Sequence, residues 1–256
     1  MILSQILHEK RLSVQEKKAR RPIGELEGAA HSAKRGFKSH IKKENQLCLI
    51  AEVKKASPSA GVIVKDFDPL ATAEAYSSCG AHAISVLTEE KFFLGSLEVL
   101  RDIKKVISLP ILQKDFIIDP YQIYEASYYG ADAILLIADI LSAEDIKKFI
   151  SICRELGLEA LLEVHTQEDI EKAIASDAGI IGINNRDLHT FKVDLNTTER
   201  LIRLIPKEKV IVSESGIKTH EDVAYLRSLG VDAILVGEAF LRSADAGAKV
   251  KEIMHW

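Results

Sequence analysis

The chain is predicted to be an α/β protein, a parallel (β/α)8 TIM barrel preceded by an N-terminal helical extension. Three observations predict it. From residue 47 onward, a short run rich in Ile, Val and Leu alternates with an amphipathic segment eight times. The runs are almost continuously apolar, as strands must be when helices cover the outer face of a parallel sheet. The 256 residues match the length such a barrel takes as one domain.

The expected strands are 47–53, 83–87, 110–116, 131–138, 159–164, 179–183, 209–212 and 232–236. The expected helices are 68–78, 95–107, 119–129, 142–156, 166–175, 195–205, 219–229 and 243–254. Several open on a capping residue: Asp68 before Pro69, Asp119 before Pro120, Ser142 before Glu144 and Thr219 before Glu221. The pattern Gly80-Ala-His-Ala-Ile recurs as Gly130-Ala-Asp-Ala-Ile and Gly230-Val-Asp-Ala-Ile, at offsets of 50 and 100 residues from one to the next. Each marks a helix end followed by a strand, where glycine can take the left-handed conformation that closes a helix. Short loops between alternating strands and helices imply right-handed parallel crossovers. Eight units close a barrel, with an open doubly wound sheet as the alternative. Residues 1–46 stand apart, with helical periodicity (Ile2, Ile6, then Leu12) and many charges. They are expected to pack on the 47–256 barrel within one structural domain, and on a sharper view to cover its mouth and shield it from water.

Composition bounds the function. With 47% hydrophobic and 28% charged residues the chain can fill a sizeable core as a soluble protein. A net charge of −4 leaves no chain-wide basic surface for nucleic acid. Cys48, Cys79 and Cys153 are odd in number and far apart, which argues against a disulfide framework and fits a reducing compartment. No apolar run suits a signal peptide or a membrane span, so a cytoplasmic protein is expected.

In a barrel of this kind chemistry sits at the C-terminal ends of the strands. Those ends carry polar groups that a core would exclude. Strand 1 ends in Glu52 and Lys54, strand 3 in Lys114, strand 5 in Glu163, strand 6 in Asn184 and Arg186, strand 7 in Glu214 and Ser215, and strand 8 in Gly237 and Glu238. Side chains two apart share a face of a strand, so Glu52 and Lys54 follow Ile50, Lys114 follows Leu112, and Glu163 follows Leu161. Lysines and carboxylates should therefore converge on one mouth, where they must pair with each other or with substrate. A barrel-end salt-bridge network without chemistry is the plainer possibility for any one of them.

A phosphate would suit the loops after strands 7 and 8, where Gly216 and Gly237 let backbone N–H groups approach an anion. Ser57 could add a hydroxyl and Lys54 a charge. No Walker or dinucleotide-binding glycine motif is present. The eight histidines show no metal-ligand spacing, His165 two residues after Glu163 included, so no metal site is expected. Tyr121, Tyr124, Tyr128 and Tyr129 are expected to serve packing and surface.

The strand-end blocks resemble the indole-3-glycerol-phosphate synthase family of tryptophan biosynthesis. They are Ile50-Ala-Glu-Val-Lys-Lys-Ala-Ser-Pro-Ser59, Leu87-Thr-Glu-Glu-Lys-Phe-Phe93, Gly95-Ser96, Lys114-Asp-Phe116, Asp119-Pro-Tyr-Gln-Ile123, Gly182-Ile-Asn-Asn-Arg-Asp-Leu188 and Ser213-Glu-Ser-Gly216. The resemblance covers nearly the whole chain and includes an N-terminal extension of this length. Ala60 departs from it, standing where the family pattern has Lys. The resemblance implies a carboxy-lyase that acts on a small anionic phosphorylated substrate, carboxyphenylamino-deoxyribulose 5-phosphate, by ring closure, decarboxylation and dehydration.

On that basis the expected catalytic set is Glu52, Lys54, Lys114, Glu163, Asn184, Glu214 and Ser215. Lys114 would be the general acid of ring closure, assisted by Glu163 and Asn184, and Lys54 and Glu52 would divide the dehydration. Glu214 and Ser215 would orient the ribulose hydroxyls or Lys54. Ser57, Pro58, Phe93, Phe116, Leu135, Arg186 and Leu188 would bind substrate, with Arg186 or Lys54 on the anthranilate carboxylate. Lys54, Ser57, Gly216, Gly237 and Glu238 would bind the phosphate. No metal or organic cofactor, nucleic acid or membrane is implied. A monomer is expected, with association with other tryptophan-pathway enzymes left open.

Three rivals remain. Phosphoribosylanthranilate isomerases resemble this barrel but carry Cys and Asp where Glu52 and Asn184 stand. A Schiff-base aldolase would use Lys114 as nucleophile. A phosphate-binding barrel without turnover would be a scaffold.

Overall fold

The structure, a computed structural model, describes residues 2–27, 33–243 and 245–256. Expectations that fall on residues 28–32, including His31, and on Ala244 lie outside the described residues.

Eight strands close a parallel barrel: β1 (Cys48–Val53), β2 (Ala83–Leu87), β3 (Ile111–Lys114), β4 (Ala133–Ile137), β5 (Glu159–Val164), β6 (Ile180–Asn184), β7 (Val210–Glu214) and β8 (Ala233–Val236). They follow one another around the barrel, and β8 returns to β1 through the pair Cys48–Ala233. The open doubly wound alternative is therefore excluded. Among the described residues three helices precede the barrel: α1 (Ile2–Arg20), α2 (Ile23–Glu27) and α3 (Phe37–Ile41). Around it lie α4 (Pro69–Ser78), α5 (Leu97–Val106), α6 (Pro120–Tyr129), α7 (Ala143–Glu155), α8 (Gln167–Ala175), α9 (Asn196–Ile202), α10 (His220–Ser228), the short α11 (Glu238–Leu241) and α12 (Ala246–Met254). No helix among the described residues is long and apolar enough to cross a membrane.

The four N-caps read from sequence are made. Asp68 accepts from the N–H groups of Leu70 and Ala71, Asp119 from Tyr121, Ser142 from Asp145 and Thr219 from Asp222. Each satisfies N–H groups that the first turn leaves free. Strand 3 is shorter than 110–116. Its chain turns away after Lys114, where the Asp115 carboxylate accepts the N–H of Phe116 and the hydroxyl of Thr88. Helix α9 stops at Ile202 rather than 205.

Alternation sorts the side chains. Leu49, Ala51 and Val53 point outward into the large core beneath the helices, whereas Cys48 and Ile50 point into the barrel. Ile50, Leu112, Leu161 and Val212, all from odd strands, belong to the inner cluster. Two residues further on, the same strands carry Glu52, Lys114, Glu163 and Glu214. In barrels of this kind each inner layer takes four side chains from alternate strands, usually branched aliphatics. Here the topmost odd-strand layer is made of one lysine and three glutamates.

The Gly-x-Asp repeat belongs to the opposite end. Gly80, Gly130 and Gly230 have φ of 91°, 92° and 87°, the left-handed turn expected of them. The third residue of each repeat is an acceptor. Asp132 takes the N–H of Ile111 at 2.8 Å, Asp232 that of Ile211 at 2.8 Å, and His82 Nδ1 that of Leu49 at 3.2 Å. Each gives an N–H at the start of a strand a partner, and Asp132 is itself buried. Asp132 is the best connected, also bonding Lys104 at 2.6 Å and the N–H of Arg35 at 2.8 Å.

The extension reaches both ends of the barrel. At the floor, Phe37 and Ile41 are fully buried in the inner cluster, and Arg35 donates to the carbonyls of Lys104, Ile107 and Leu109. Along the wall, Val14 and Leu26 pack on Tyr121, whose hydroxyl donates to the Lys17 carbonyl. At the mouth, Ile2, Leu3 and Ile6 line the cavity.

Replacing Asp132 by Ala strands the buried Lys104 ammonium and the Ile111 N–H together. The expected cost is ~3–5 kcal/mol, read as a lower urea midpoint at unchanged slope.

Candidate active site

A cavity of about 730 Å³ opens at the C-terminal ends of the strands. All the residues singled out from the sequence line it: Glu52, Lys54, Ser57, Pro58, Phe93, Lys114, Phe116, Leu135, Glu163, Asn184, Arg186, Leu188, Glu214, Ser215, Gly216, Gly237 and Glu238. Lining by itself assigns no role. The contacts among them are more informative.

Lys114 lies between two carboxylates, with its Nζ 2.7 Å from Glu214 Oε2 and 3.2 Å from Glu163 Oε2. Both glutamates are buried, at 2% exposure or less, so neither can rely on water for its charge. Burial alone would strip the proton from Lys114. Glu214, Glu163 and Glu52 outweigh it and hold the ammonium well above the ordinary lysine range.

The two carboxylates differ. Burial pushes Glu214 up to about 7, Lys114 opposing and Glu163 and Glu52 adding to the rise. Burial acts in the same direction on Glu163, but Lys114, His165 and a hydrogen bond from Asn184 more than reverse it and hold that carboxyl below its ordinary range. Environments that push neighbouring acids apart are what acid–base chemistry near neutrality needs.

Lys54 bonds to Glu52 and stands away from Lys114 as a second ammonium–carboxylate pair. Glu214 and Ser215 were expected to orient the ribulose hydroxyls or Lys54; in the structure the Glu214 carboxylate meets Lys114 across the barrel, and Glu52 is the partner of Lys54.

Two glycines clear the space these carboxylates occupy. A Cβ on Gly182 would come within 2.3 Å of Glu214 Oε1 and 2.8 Å of Leu161, and one on Gly237 within 2.7 Å of Glu52 Oε1. Sequence reasoning assigned Gly237 to phosphate alone and gave Gly182 nothing. The available signal was the glycine in the strand run Ile180-Ile-Gly-Ile, since a strand glycine often marks a close approach.

The β7 end is held by a buried network. Asn185 donates to the Ser213 hydroxyl and to the carbonyls of Glu214 and Ser215, and accepts from Thr198. Beyond it Ser215 and Gly216 both have positive φ, 67° and 86°, curling the chain over the cavity. Glu238 is ion-paired to Arg186 at 3.4 Å and to Arg242 at 2.9 Å. Its carboxylate cannot itself receive an anion, and what it offers a phosphate is backbone N–H. Arg242, Lys218 and Lys249 also line this side, and the sequence reading missed all three.

The apolar side is equally organised. Glu89 accepts from the N–H groups of Lys91, Phe92 and Phe93, which fixes the turn carrying Phe93 against Phe116 at 6.2 Å between ring centroids. Behind Lys114, the buried Asp115 carboxylate meets Lys10 of α1 at 2.6 Å. That pair fastens the extension to the residue after the central lysine. Nothing in a single sequence tied Lys10 to residue 115, since contact across so many residues leaves no local pattern. Among the described residues no group of three or more His, Cys, Asp or Glu side chains could hold a metal ion.

A closed (β/α)8 barrel with such a layer at its strand ends is an enzyme built for acid–base work. The sequence model described as indole-3-glycerol phosphate synthase matches residues 3–253. A relative of that name from Acetivibrio thermocellus is 49% identical, covering 98% of each chain, and one from Thermoanaerobacter pseudethanolicus is 48% identical over 99% of this chain and 97% of its own. The chain belongs to the indole-3-glycerol phosphate synthase family, carboxy-lyases of tryptophan biosynthesis. Among solved structures, the 3-hexulose-6-phosphate synthase of Salmonella typhimurium has a TM-score of 0.66 at 13% identity, covering 82% of this chain and 97% of its own. That likeness is one of fold.

The clearance at Gly182 yields a prediction. Gly182→Ala should displace Glu214 and lower turnover by about 10²-fold, at an overpacking cost of only ~1–3 kcal/mol. Activity and thermal unfolding measured on the same sample separate the two effects.

Proposed function

We propose that the cavity binds 1-(2-carboxyphenylamino)-1-deoxyribulose 5-phosphate and converts it to indole-3-glycerol phosphate, with Lys114 as the general acid of ring closure. The observation that carries this is an ammonium kept charged by two buried carboxylates on the wall of a half-apolar cavity. Closing the ring puts negative charge on the ketone oxygen as the aromatic carbon attacks. A positioned ammonium supplies the proton at that oxygen. Glu163 holds the donor in place, and Asn184 steadies Glu163.

Loss of CO₂ then restores the aromatic ring, and water leaves as hydroxyl from the former ketone carbon and a proton from the adjoining methylene, so that the indole keeps its N–H. The Lys54–Glu52 pair provides an acid for the departing hydroxyl and a base for that proton. Pro58, Phe93, Phe116, Leu135 and Leu188 form the slot for the ring. Arg186 faces the anthranilate carboxylate but is shared with Glu238, which weakens its hold on a group that must leave. The phosphate sits against the N–H groups around Gly216 and Gly237, with Ser57 and Lys54 nearby. Ser215 and Glu214 meet the ribulose hydroxyls.

The same electrostatics disfavour a Schiff-base role for Lys114. A nucleophilic lysine must be neutral at working pH, usually through burial away from carboxylates. Lys114 is buried against two.

Lys114→Ala should cost roughly 10²-fold or more in kcat with the fold intact, measured by indole fluorescence of the product. Near-parent turnover would remove the mechanism. A second test uses Glu214, whose carboxyl is pushed up to about 7. Below that pH it is a neutral acid and above it an anion. The pH dependence of kcat/KM should therefore show a step near neutrality in the parent that is absent in Glu214→Gln.

A further inference from the structure

His165 has no part in the reaction as described, yet it is placed with care. It follows β5, two residues beyond Glu163 and four beyond Leu161, and so continues the inward face of that strand. Its side chain is only 12% exposed. Its backbone is pinned, because its N–H donates to Asp169 Oδ2 at 2.9 Å, within the capping box that starts α8. Nε2 lies 3.4 Å from Glu163 Oε1, and among the described residues neither ring nitrogen makes any hydrogen bond. A buried imidazole without other partners, directed at a buried carboxylate, is costly unless that contact matters.

The contact falls on a particular oxygen. Glu163 gives Oε2 to Lys114, leaving Oε1 toward His165. Glu214 also gives Oε2 to Lys114, but its Oε1 is buried with no partner among the described residues. The two carboxylates beside Lys114 thus differ in their surroundings: Glu163 has Asn184 and the His165 ring beside it, whereas the second oxygen of Glu214 has no partner among the described residues.

We propose that His165 is a positioning residue whose ring, held 3.4 Å from Glu163 Oε1, favours Glu163 as the anionic partner of Lys114 and leaves proton uptake to Glu214. The groups facing Glu163 are Lys114 on β3, Asn184 on β6, Glu214 on β7, Glu52 on β1 and His165 itself. Of these, only Lys114, Asn184 and His165 favour its charge. Removing the imidazole withdraws one of three supports, and Glu163 begins to compete with Glu214 for a proton at higher pH. Once Glu163 is neutral, Lys114 loses the carboxylate that aims it.

This inference rests on Lys114 as the proton donor. The test compares the parent with H165F, which removes the N–H from a ring of similar size, and H165N, whose amide can donate in its place. For H165F the acid limb of kcat should move up by about half a unit or more, with KM within about twofold of the parent. H165N should return the limb toward its original position. A limb in H165F that superimposes on the parent's, or a loss of equal size at every pH in both variants, would overturn the proposal.

A readout independent of turnover is the infrared C=O stretch of protonated Glu163, assigned by its loss in E163Q. It should appear at higher pH in H165F, or in H165L if H165F does not fold. An unchanged onset overturns the role of His165. An active K114A would instead overturn the acid assignment, while the infrared comparison would still decide what His165 does to Glu163.

Discussion

Lys114 held between Glu163 and Glu214 is the constraint around which the mouth of this barrel is built. Three glutamates and a lysine occupy a layer that such barrels usually fill with branched aliphatics, so the layer contributes little hydrophobic stabilisation and carries more negative than positive charge. The surroundings compensate in three ways. Glycines at 182 and 237 leave room for carboxylates. Lys54 neutralises Glu52. The remaining excess charge is relieved by the rise of Glu214 toward neutrality. Stability is supplied elsewhere, by the aliphatic layer beneath and by the shell between strands and helices.

The extension makes the barrel less independent than its symmetry suggests. Phe37 and Ile41 stop the floor, and Ile2, Leu3 and Ile6 join the wall of the mouth. The floor plug shares its buried cluster with Cys48 of β1, Ala83 of β2, Ile180 of β6, Val210 of β7 and Ala233 of β8. Much of what it needs is made late in the chain, which is the situation that slows folding in proteins with distant contacts.

The fold was legible because its signals are local and repeated. Alternating apolar runs, four caps and three glycine-led junctions each reflect a rule that acts within a few residues, and the structure has all of them. The composition of the cavity was legible for a related reason: strand alternation says which side a residue faces, and strand ends say where. Pairing was harder. Alternation puts Glu52, Lys54, Lys114 and Glu214 in one space but does not say that Glu214 meets Lys114 rather than Lys54, since that depends on barrel register and stagger. Lys10 with Asp115, and Arg242 with Glu238 beside Arg186, escaped because charged residues on helices usually face solvent. The repeated Asp and His of the Gly-x-Asp junctions were visible as a pattern, but their purpose as acceptors for strand N–H groups required the neighbouring strand to be in place.

The Lys10–Asp115 bond has a bearing on traffic. Swinging α1 away would leave a carboxylate and an ammonium buried without each other, at a cost of several kcal/mol. The side of the entrance formed by α1 is thus a fixed jamb. The chain after β1 is tied by a hairpin of two-residue strands, Ala56–Ser57 with Gly61–Val62, whose second strand is exposed. So short a hairpin holds less than that buried pair, and the mouth has one stiff edge and one that parts more easily.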